Sequence, residues 1–377
     1  MSFGFMQLEA PYIEALKELN ITEPTDIQKK MIPEAIAGQS IIARSQTGTG
    51  KTLAYLLPAL MKIDKQIQRL QVLILAPTQE LAMQVVDVAK KLTEKEPIHI
   101  SSFIGGANIN RQVDKLKKQK PQLAVGTPGR LLELIQMKKL KLADLQVVII
   151  DEADRMMGEQ PSWEATMEIA KRAGRDTQFL SVSATIPEGI TEQMQKVAPF
   201  VIELEAEGGL VDEENVNHFL IRVDQRDKID MTRKLMHAEK IKRGIVFVNQ
   251  LEKLHETAEK LVFKGLQIKA LSSDHNKQER EQAIKQLRNG EIELLVATDI
   301  AARGLDIEDV THIIQLDVAA TSDQYVHRAG RTGRMGKEGT VITLLDRKDE
   351  YKVEKYKRDL KINFEEVFIT HGQLKRK

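Results

Sequence analysis

A chain of 377 residues, 42% hydrophobic and 29% charged with a formal net charge of +1, has ample core-forming material, and at roughly 150 residues per domain it should make two or three domains. It holds no apolar run near the eighteen or so residues that read as a membrane span. Its opening Met1-Ser2-Phe3-Gly4-Phe5 lacks a secretory pattern, and the absence of cysteine excludes disulfides and thiolate zinc sites. The expected setting is the cytoplasm, and the near-neutral net charge leaves nucleic-acid binding open.

In chain order, residues 8–19 carry Leu8, Tyr12, Leu16 and Leu19 at helical spacing. Thr25 then stands as the N-cap of a helix opening at Asp26. Ile41-Ile42-Ala43 reads as a short strand running into Ser45-Gln46-Thr47-Gly48-Thr49-Gly50-Lys51-Thr52, and a helix follows over 53–63. Strand, glycine-bearing loop and helix in succession are the context of a phosphate loop, although Ser45 stands where the general pattern begins with glycine. The glycines let backbone N–H groups approach phosphates, and the helix N-terminus adds its positive end. Lys51 is then expected to reach the β- and γ-phosphates of a nucleotide and Thr52 to ligate Mg²⁺.

Strands and helices alternate from there. Apolar strands at 72–76, 99–104, 123–125 and 179–182 each run into a polar cluster: Pro77-Thr78-Gln79-Glu80, Gly105-Gly106, Thr127-Pro128-Gly129-Arg130 and Ser183-Ala184-Thr185. Between the last two of these strands lies Val147-Val148-Ile149-Ile150, four β-branched residues without helical period, ending in Asp151-Glu152-Ala153-Asp154. Such a run reads as a strand buried on both faces. Two carboxylates at its end can hold a hydrated Mg²⁺ and orient a water for phosphoryl transfer. Strands alternating with helices predict a parallel α/β sheet with function at the strands' carboxyl ends.

Residues 203–214 carry six acids and no base, and the stretch 203–215 contains Gly208-Gly209 without apolar periodicity. It reads as a linker, placed at 206–216 between domains of residues 1–205 and 217–377. Beyond it, strands are expected at 218–223, 244–249, 267–271, 293–298, 311–316 and 340–345, followed by a helix-like basic stub. This half has no phosphate loop. It has His327-Arg328-Ala329-Gly330-Arg331-Thr332-Gly333-Arg334, in which interspersed glycines disfavour helix and three guanidinium groups suit an anion clamp. Residues 111–141 hold nine basic against two acidic side chains. A charge run is most often a solvated face, so it counts only as supporting evidence.

Together these residues resemble the DEAD-box ATP-dependent RNA helicases, in a bacterial form reduced to little more than the core, and the resemblance covers residues 3 to about 345. It implies two tandem RecA-like parallel-sheet domains joined by a short linker, with ATP and Mg²⁺ as ligands. Pro24, Thr25 and Gln28 resemble the family's adenine-reading motif, preceded by an aromatic that is either Phe3 or Phe5. Residues Ser45 to Thr52 hold the phosphates, Asp151 the metal and Glu152 the attacking water. Arg331 and Arg334 resemble arginine fingers, and Asp306 a ribose contact. Asp154, Ser183, Thr185 and His327 resemble the link between nucleotide state and RNA grip. Thr78, Gly106, Thr127, Arg130, Arg280, Thr298 and Arg303 resemble the RNA-facing positions, whose backbone contacts read no bases. The chain departs from the pattern at Asn20-Ile21, Gln79, Lys277 and Val318.

The resemblance implies an RNA-stimulated ATPase that unwinds short duplexes or remodels RNA–protein complexes, acts as a monomer, and works on ribosomal assembly intermediates or with RNA-decay proteins. An ATP-locked RNA clamp with little strand separation and a DNA helicase of the same superfamily are the rival readings.

Overall fold

The computed structural model describes residues 3–45, 49–206, 215–272, 274–275, 277–302, 310–333 and 337–377. The chain divides into two compact units, residues 1–207 and 208–377.

In the first unit a 3₁₀ turn at Phe3–Phe5 leads to α1 (Ala10–Glu18), α2 (Asp26–Ile36), β1 (Ser40–Arg44), α3 (Lys51–Met61), β2 (Val72–Leu75), α4 (Gln79–Leu92), β3 (Ile100–Phe103) and α5 (Ile109–Lys118). Next come β4 (Leu123–Gly126), α6 (Pro128–Gln136), β5 (Val147–Asp151), α7 (Ala153–Gly158), α8 (Gln160–Arg172), β6 (Gln178–Ser183), α9 (Ile190–Gln195) and β7 (Val201–Glu205). The seven strands lie in the order β3-β4-β2-β5-β6-β1-β7, and every pairing is parallel. β5 is the middle strand. Its side chains alternate between two cores. Val147 and Ile149 pack with residues of α3 and α4. Val148 and Ile150 pack with residues of α6 and α8. Burial of both faces is why four β-branched residues follow one another here.

At the other end of the same strands stand four glutamines, each before or at the start of an apolar run. Gln71 bonds the backbone of Asp64 through both amide atoms and accepts from Gln146 at 3.3 Å. Gln122 accepts from His99 N–H, and Gln178 donates to the carbonyls of Ala35 and Gln39. These amides satisfy loop backbone that would otherwise be buried without partners.

The second unit contains β8 (Val216–Arg222), α10 (Lys228–Ala238), β9 (Gly244–Phe247), α11 (Leu251–Phe263), β10 (Ile268–Leu271), α12 (Lys277–Asn289) and β11 (Leu294–Ala297). It continues with α13 (Asp299–Ala302), β12 (His312–Gln315), α14 (Ser322–Ala329), β13 (Gly339–Leu345), α15 (Glu350–Leu360), β14 (Glu365–Thr370) and β15 (Gln373–Arg376). The sheet order is β10-β11-β9-β12-β13-β8-β14-β15. Only the β14–β15 pairing is antiparallel among the described residues.

Three expectations change. Residues 203–205 of the acidic stretch belong to β7 and not to a linker. β7 is an edge strand, where Glu203 and Glu205 reach water, and Glu205 forms an ion pair with Arg44. The chain beyond residue 350 is more than a helical stub: after α15, β14 pairs with β8 and buries Val367 in the core. Finally, the arginine-rich stretch is helical as far as Ala329, because its glycines begin only at Gly330.

Candidate functional site

β1 delivers the chain to the phosphate loop, where Ser45 N–H donates to the Ser183 carbonyl on neighbouring β6 at 3.0 Å. Gln46, Thr47 and Gly48 lie outside the described residues. The hydroxyls of Ser45 and Thr49 are 2.5 Å apart. Gly50 caps α3 in the left-handed region, at φ +85°, and Lys51 and Thr52 open the helix. Lys51 is buried and its Nζ donates to the Ser45 carbonyl at 2.6 Å, across the mouth of the loop. An eleven-residue helix beginning at a lysine brings its positive dipole end to that position, as an anion requires.

The adenine-motif residues join the same loop. Gln28 Oε1 accepts from Thr25 N–H at 2.9 Å, closing the first turn of α2, and its Nε2 donates to the Gly50 carbonyl at 3.0 Å. Pro24 precedes this cap. A glutamine has four hydrogen-bonding positions, so two remain for a base edge. Of the two upstream aromatics, Phe3 is in the core and Phe5 is 77% exposed.

Asp151 ends β5 and is buried. Its Oδ1 accepts from Glu152 N–H at 2.9 Å and its Oδ2 from the Tyr55 hydroxyl at 2.7 Å. Burial, reinforced by the Glu152 carboxylate, pushes the Asp151 carboxyl up to about 6, against the opposing pull of Tyr55 and Lys51. Glu152 sits in the left-handed region at φ +49°, a conformation uncommon outside glycine and asparagine, with Arg155 Nη1 3.5 Å from Oε2. Among the described residues no group of three or more His, Asp or Glu could hold a metal alone. Hard oxygen donors with few protein ligands suit Mg²⁺, which keeps its waters and binds through one or two carboxylates and the substrate's phosphates. Asp151 and Thr52 therefore fit that ion.

Asp154, in the first turn of α7, reaches the segment just after β6. Its Oδ2 accepts from both the N–H and the hydroxyl of Thr185 at 3.0 Å, and the Ser183 hydroxyl donates to the Thr185 carbonyl. The expected coupling residues of this unit thus form one hydrogen-bonded unit beside the phosphate loop.

The expected RNA-facing residues of the first unit sit on the adjacent part of the rim. Thr78 caps α4, its hydroxyl accepting from Leu81 N–H at 3.2 Å. The Thr127 hydroxyl accepts from Gly105 N–H at 3.3 Å. Gly106 has φ +70°, and a Cβ there would come within 3.2 Å of Gln79 Nε2. Arg130 is mostly covered. Its Nη1 donates to the carbonyls of Ile104 and Ala107, so it holds the Gly105-Gly106 loop in place. The strand order divides the rim. Loops after β2, β3 and β4 carry the RNA candidates, and loops after β1, β5 and β6 carry the nucleotide and coupling candidates.

In the second unit Thr298 is buried after β11 and its hydroxyl accepts from Ala301 N–H. Arg280 is half-buried on α12. His327 is in the last turn of α14, and Arg331 just beyond it is buried, its Nε donating to the His327 carbonyl at 3.3 Å. Arg303, Asp306 and Arg334 lie outside the described residues. Arg328 corrects the expectation of a three-arginine clamp. It is fully buried and bonds Asp299, Asn249 and the Asp317 carbonyl within the unit. Sequence reasoning also missed Tyr55. Its signal was a phenol one helical turn after Lys51 in an otherwise apolar helix.

Residues 25–193 match the family model described as DEAD/DEAH box helicase, and residues 227–336 match the helicase conserved C-terminal domain. The chain is 43% identical to the DEAD-box ATP-dependent RNA helicase CshC of Bacillus cereus, over 96% of this chain and 92% of that one. It is 39% identical to the probable ATP-dependent RNA helicase YfmL of Bacillus subtilis, over 94% and 93%. The S. cerevisiae Dbp5 structure bound to RNA and ADP BeF3 covers 97% of this chain and 95% of its own, at 27% identity and a TM-score of 0.87. The two sheets are accordingly RecA-like domains in tandem, and the chain belongs to the DEAD-box family of ATP-dependent RNA helicases.

Proposed function

We propose that this helicase grips RNA under the control of ATP, each ligand tightening the other by linkage. The observation that carries the reading is the divided rim of the first unit, with the Asp154–Thr185 hydrogen bonds beside the boundary. In this reading Gln28, with Pro24 and Thr25, holds the adenine. Residues Ser45 to Thr52 hold the phosphates. Asp151 and Thr52 hold Mg²⁺, which neutralises phosphate charge when bound. Glu152 orients the attacking water, and Arg331 and Arg334 stabilise the charge that develops on the transferred phosphoryl group.

Thr78, Gly106, Thr127, Arg130, Arg280, Thr298 and Arg303 are proposed to follow the RNA backbone, Arg130 by fixing its loop. Asp306 contacts the ribose. Asp154, Ser183, Thr185 and His327 transmit nucleotide state to the RNA side. The RNA-bound Dbp5 relative supports RNA as the polymer. The cellular setting proposed is a cytoplasmic monomer acting on ribosomal assembly intermediates or with RNA-decay proteins, in ribosome biogenesis or the cold response.

Steady-state ATPase measured with and without RNA tests the core of this reading. RNA should stimulate the rate, DNA of equal length should not, and equal rates with and without RNA would contradict it. Arg331→Ala should lower turnover by roughly 10³-fold or more while ADP binding persists. Crosslinking the protein to cellular RNA tests the setting, and duplex unwinding assayed beside displacement of a bound protein separates strand separation from remodelling.

A further inference from the structure

The Tyr55 side chain is fully buried in α3, yet its hydroxyl is not surrounded by apolar atoms alone. It donates to Asp151 Oδ2 at 2.7 Å, and Thr52 lies on the same helix, three residues before it. Thr52 and Asp151 are the two residues that fit Mg²⁺. One belongs to the helix that opens at the phosphate loop, the other to the central strand, and they lie ninety-nine positions apart in the chain. Tyr55 joins the helix that carries Thr52 to Asp151.

Asp151 can be held in only a few ways. Its Oδ1 is fixed by the adjacent Glu152 N–H, its Oδ2 by Tyr55. With one hydrogen bond on each oxygen, rotation of the carboxylate is blocked, and the outward lone pairs keep a set direction. Without the phenol, Oδ2 would give up the donor that anchors it to α3, and the carboxylate could turn about its remaining bond to Glu152 N–H.

We infer that Tyr55 is a positioning residue for the divalent metal: by holding Asp151 in register with the phosphate-loop helix, its hydroxyl sets the affinity with which the nucleotide-bound site takes up Mg²⁺. This rests on the reading of Asp151 and Thr52 given above. Partners that orient a ligating carboxylate are worth 10- to 100-fold in metal affinity when removed, so the effect should be of that order although Tyr55 does not touch the ion.

Tyr55→Phe in the full chain is the test, because it keeps the ring and removes the hydroxyl. Binding of a fluorescent ADP analogue is followed as Mg²⁺ is raised, and Mn²⁺ uptake by the ADP-bound protein is followed by electron paramagnetic resonance. The variant should need about tenfold more metal in both measurements, with unchanged ADP affinity in excess chelator. Its ATPase rate should recover most of the parent value at saturating Mg²⁺. A purely structural role would weaken metal-free ADP binding as well. Equal metal midpoints in variant and parent overturn the proposal. If instead the parent itself shows no metal-dependent ADP binding, the assignment of Asp151 and Thr52 fails first. Should the variant melt too early to assay, the parent labelled with 3-fluorotyrosine carries the test. Adding Mg²⁺ to the ADP-saturated protein should shift one fluorine resonance, and no shift overturns the inference.

Discussion

Arg328 and Asp299 form a two-point ion pair in the interior of the second unit, Nε to Oδ1 at 2.8 Å and Nη2 to Oδ2 at 2.7 Å. The arginine side chain is wholly inaccessible and the aspartate nearly so. Asn249 Oδ1, Gln315 Oε1 and the Asp317 carbonyl take the remaining guanidinium protons, and the guanidinium lies 5.0 Å from the Phe247 ring centre. One side chain thereby joins the loops after β9 and β12, and the first residue of α13, to α14, the helix that carries His327 and leads to Arg331.

Removing one partner of such a pair leaves the other charged and buried, at a cost of about 3–5 kcal/mol. Arg328→Ala should therefore lower the stability of the second unit by that amount in chemical denaturation. Arg328→Lys should rescue little, because an ammonium cannot reproduce the fork. A variant within about 1 kcal/mol of the parent would mean that the network is not what holds α14.

Gly50 supports a second prediction. At φ +85° an L-residue is strained, and a Cβ would collide with Gln28 Nε2. Gly50→Ala should displace Gln28, open the first turn of α2 and weaken ADP binding strongly. Since both changes act through the same amide, Gln28→Ala combined with Gly50→Ala should lose clearly less affinity than the two single losses added. Simple additivity in calorimetric titrations would show that the Gln28–Gly50 hydrogen bond is unimportant for the nucleotide.

How far the sequence could be read depends on whether a residue's signal is local. The run Val147 to Ile150 and the loop from Ser45 to Thr52 announce themselves, because β-branched continuity and glycine spacing have few other physical causes. Thr25 was legible as a cap and Gln28 as part of the adenine motif, but the bond from Gln28 to Gly50 was not, since the two meet only when α2 packs on α3. Tyr55 stands in an otherwise apolar helix, and only the fold brings Asp151 to its hydroxyl. Arg328 misled for the opposite reason. Its neighbours in sequence are basic and glycine-rich, whereas its neighbours in space are Asp299, Gln315 and Asn249. The pair β14–β15 was hidden because it buries little beyond Val367, too short an alternation to register.

His312, at the start of β12, makes stability depend on pH. Its side chain is 14% exposed, with Glu239 Oε2 3.9 Å away, and burial lowers it to about 4. The folded state thus favours the neutral ring, while the unfolded chain takes up a proton near pH 6.5. The sign follows from linkage: this contribution is complete above about pH 6.5 and is lost as pH falls from there through 4. The loss can reach about 3 kcal/mol. Unfolding free energies measured from pH 7.5 to 4.5 should fall less steeply for His312→Gln than for the parent. Parallel curves would remove His312 as the cause.

The C-terminal hairpin yields the last prediction. Its basic residues look suited to RNA, yet Arg376 pairs with Glu365 and Lys377 with Glu366, each at 3.0 Å, and Arg222 adds a further ion pair to Glu366 at 3.3 Å. Charge neutralised in place contributes little to phosphate binding, and exposed pairs of this kind are worth less than about 1 kcal/mol. Val367, by contrast, is buried beside Ile221 and Leu344. The hairpin should therefore matter for the fold of the second unit and not for the grip on RNA. Val367→Ala should cost about 1–3 kcal/mol. Arg376→Ala with Lys377→Ala should leave both the RNA dissociation constant and its dependence on salt unchanged, because a cation that neutralises one phosphate of a single strand accounts for about 0.7 of the salt slope. A shallower slope in the double variant would show that these side chains leave their carboxylates for RNA, and the hairpin would then belong to the binding surface.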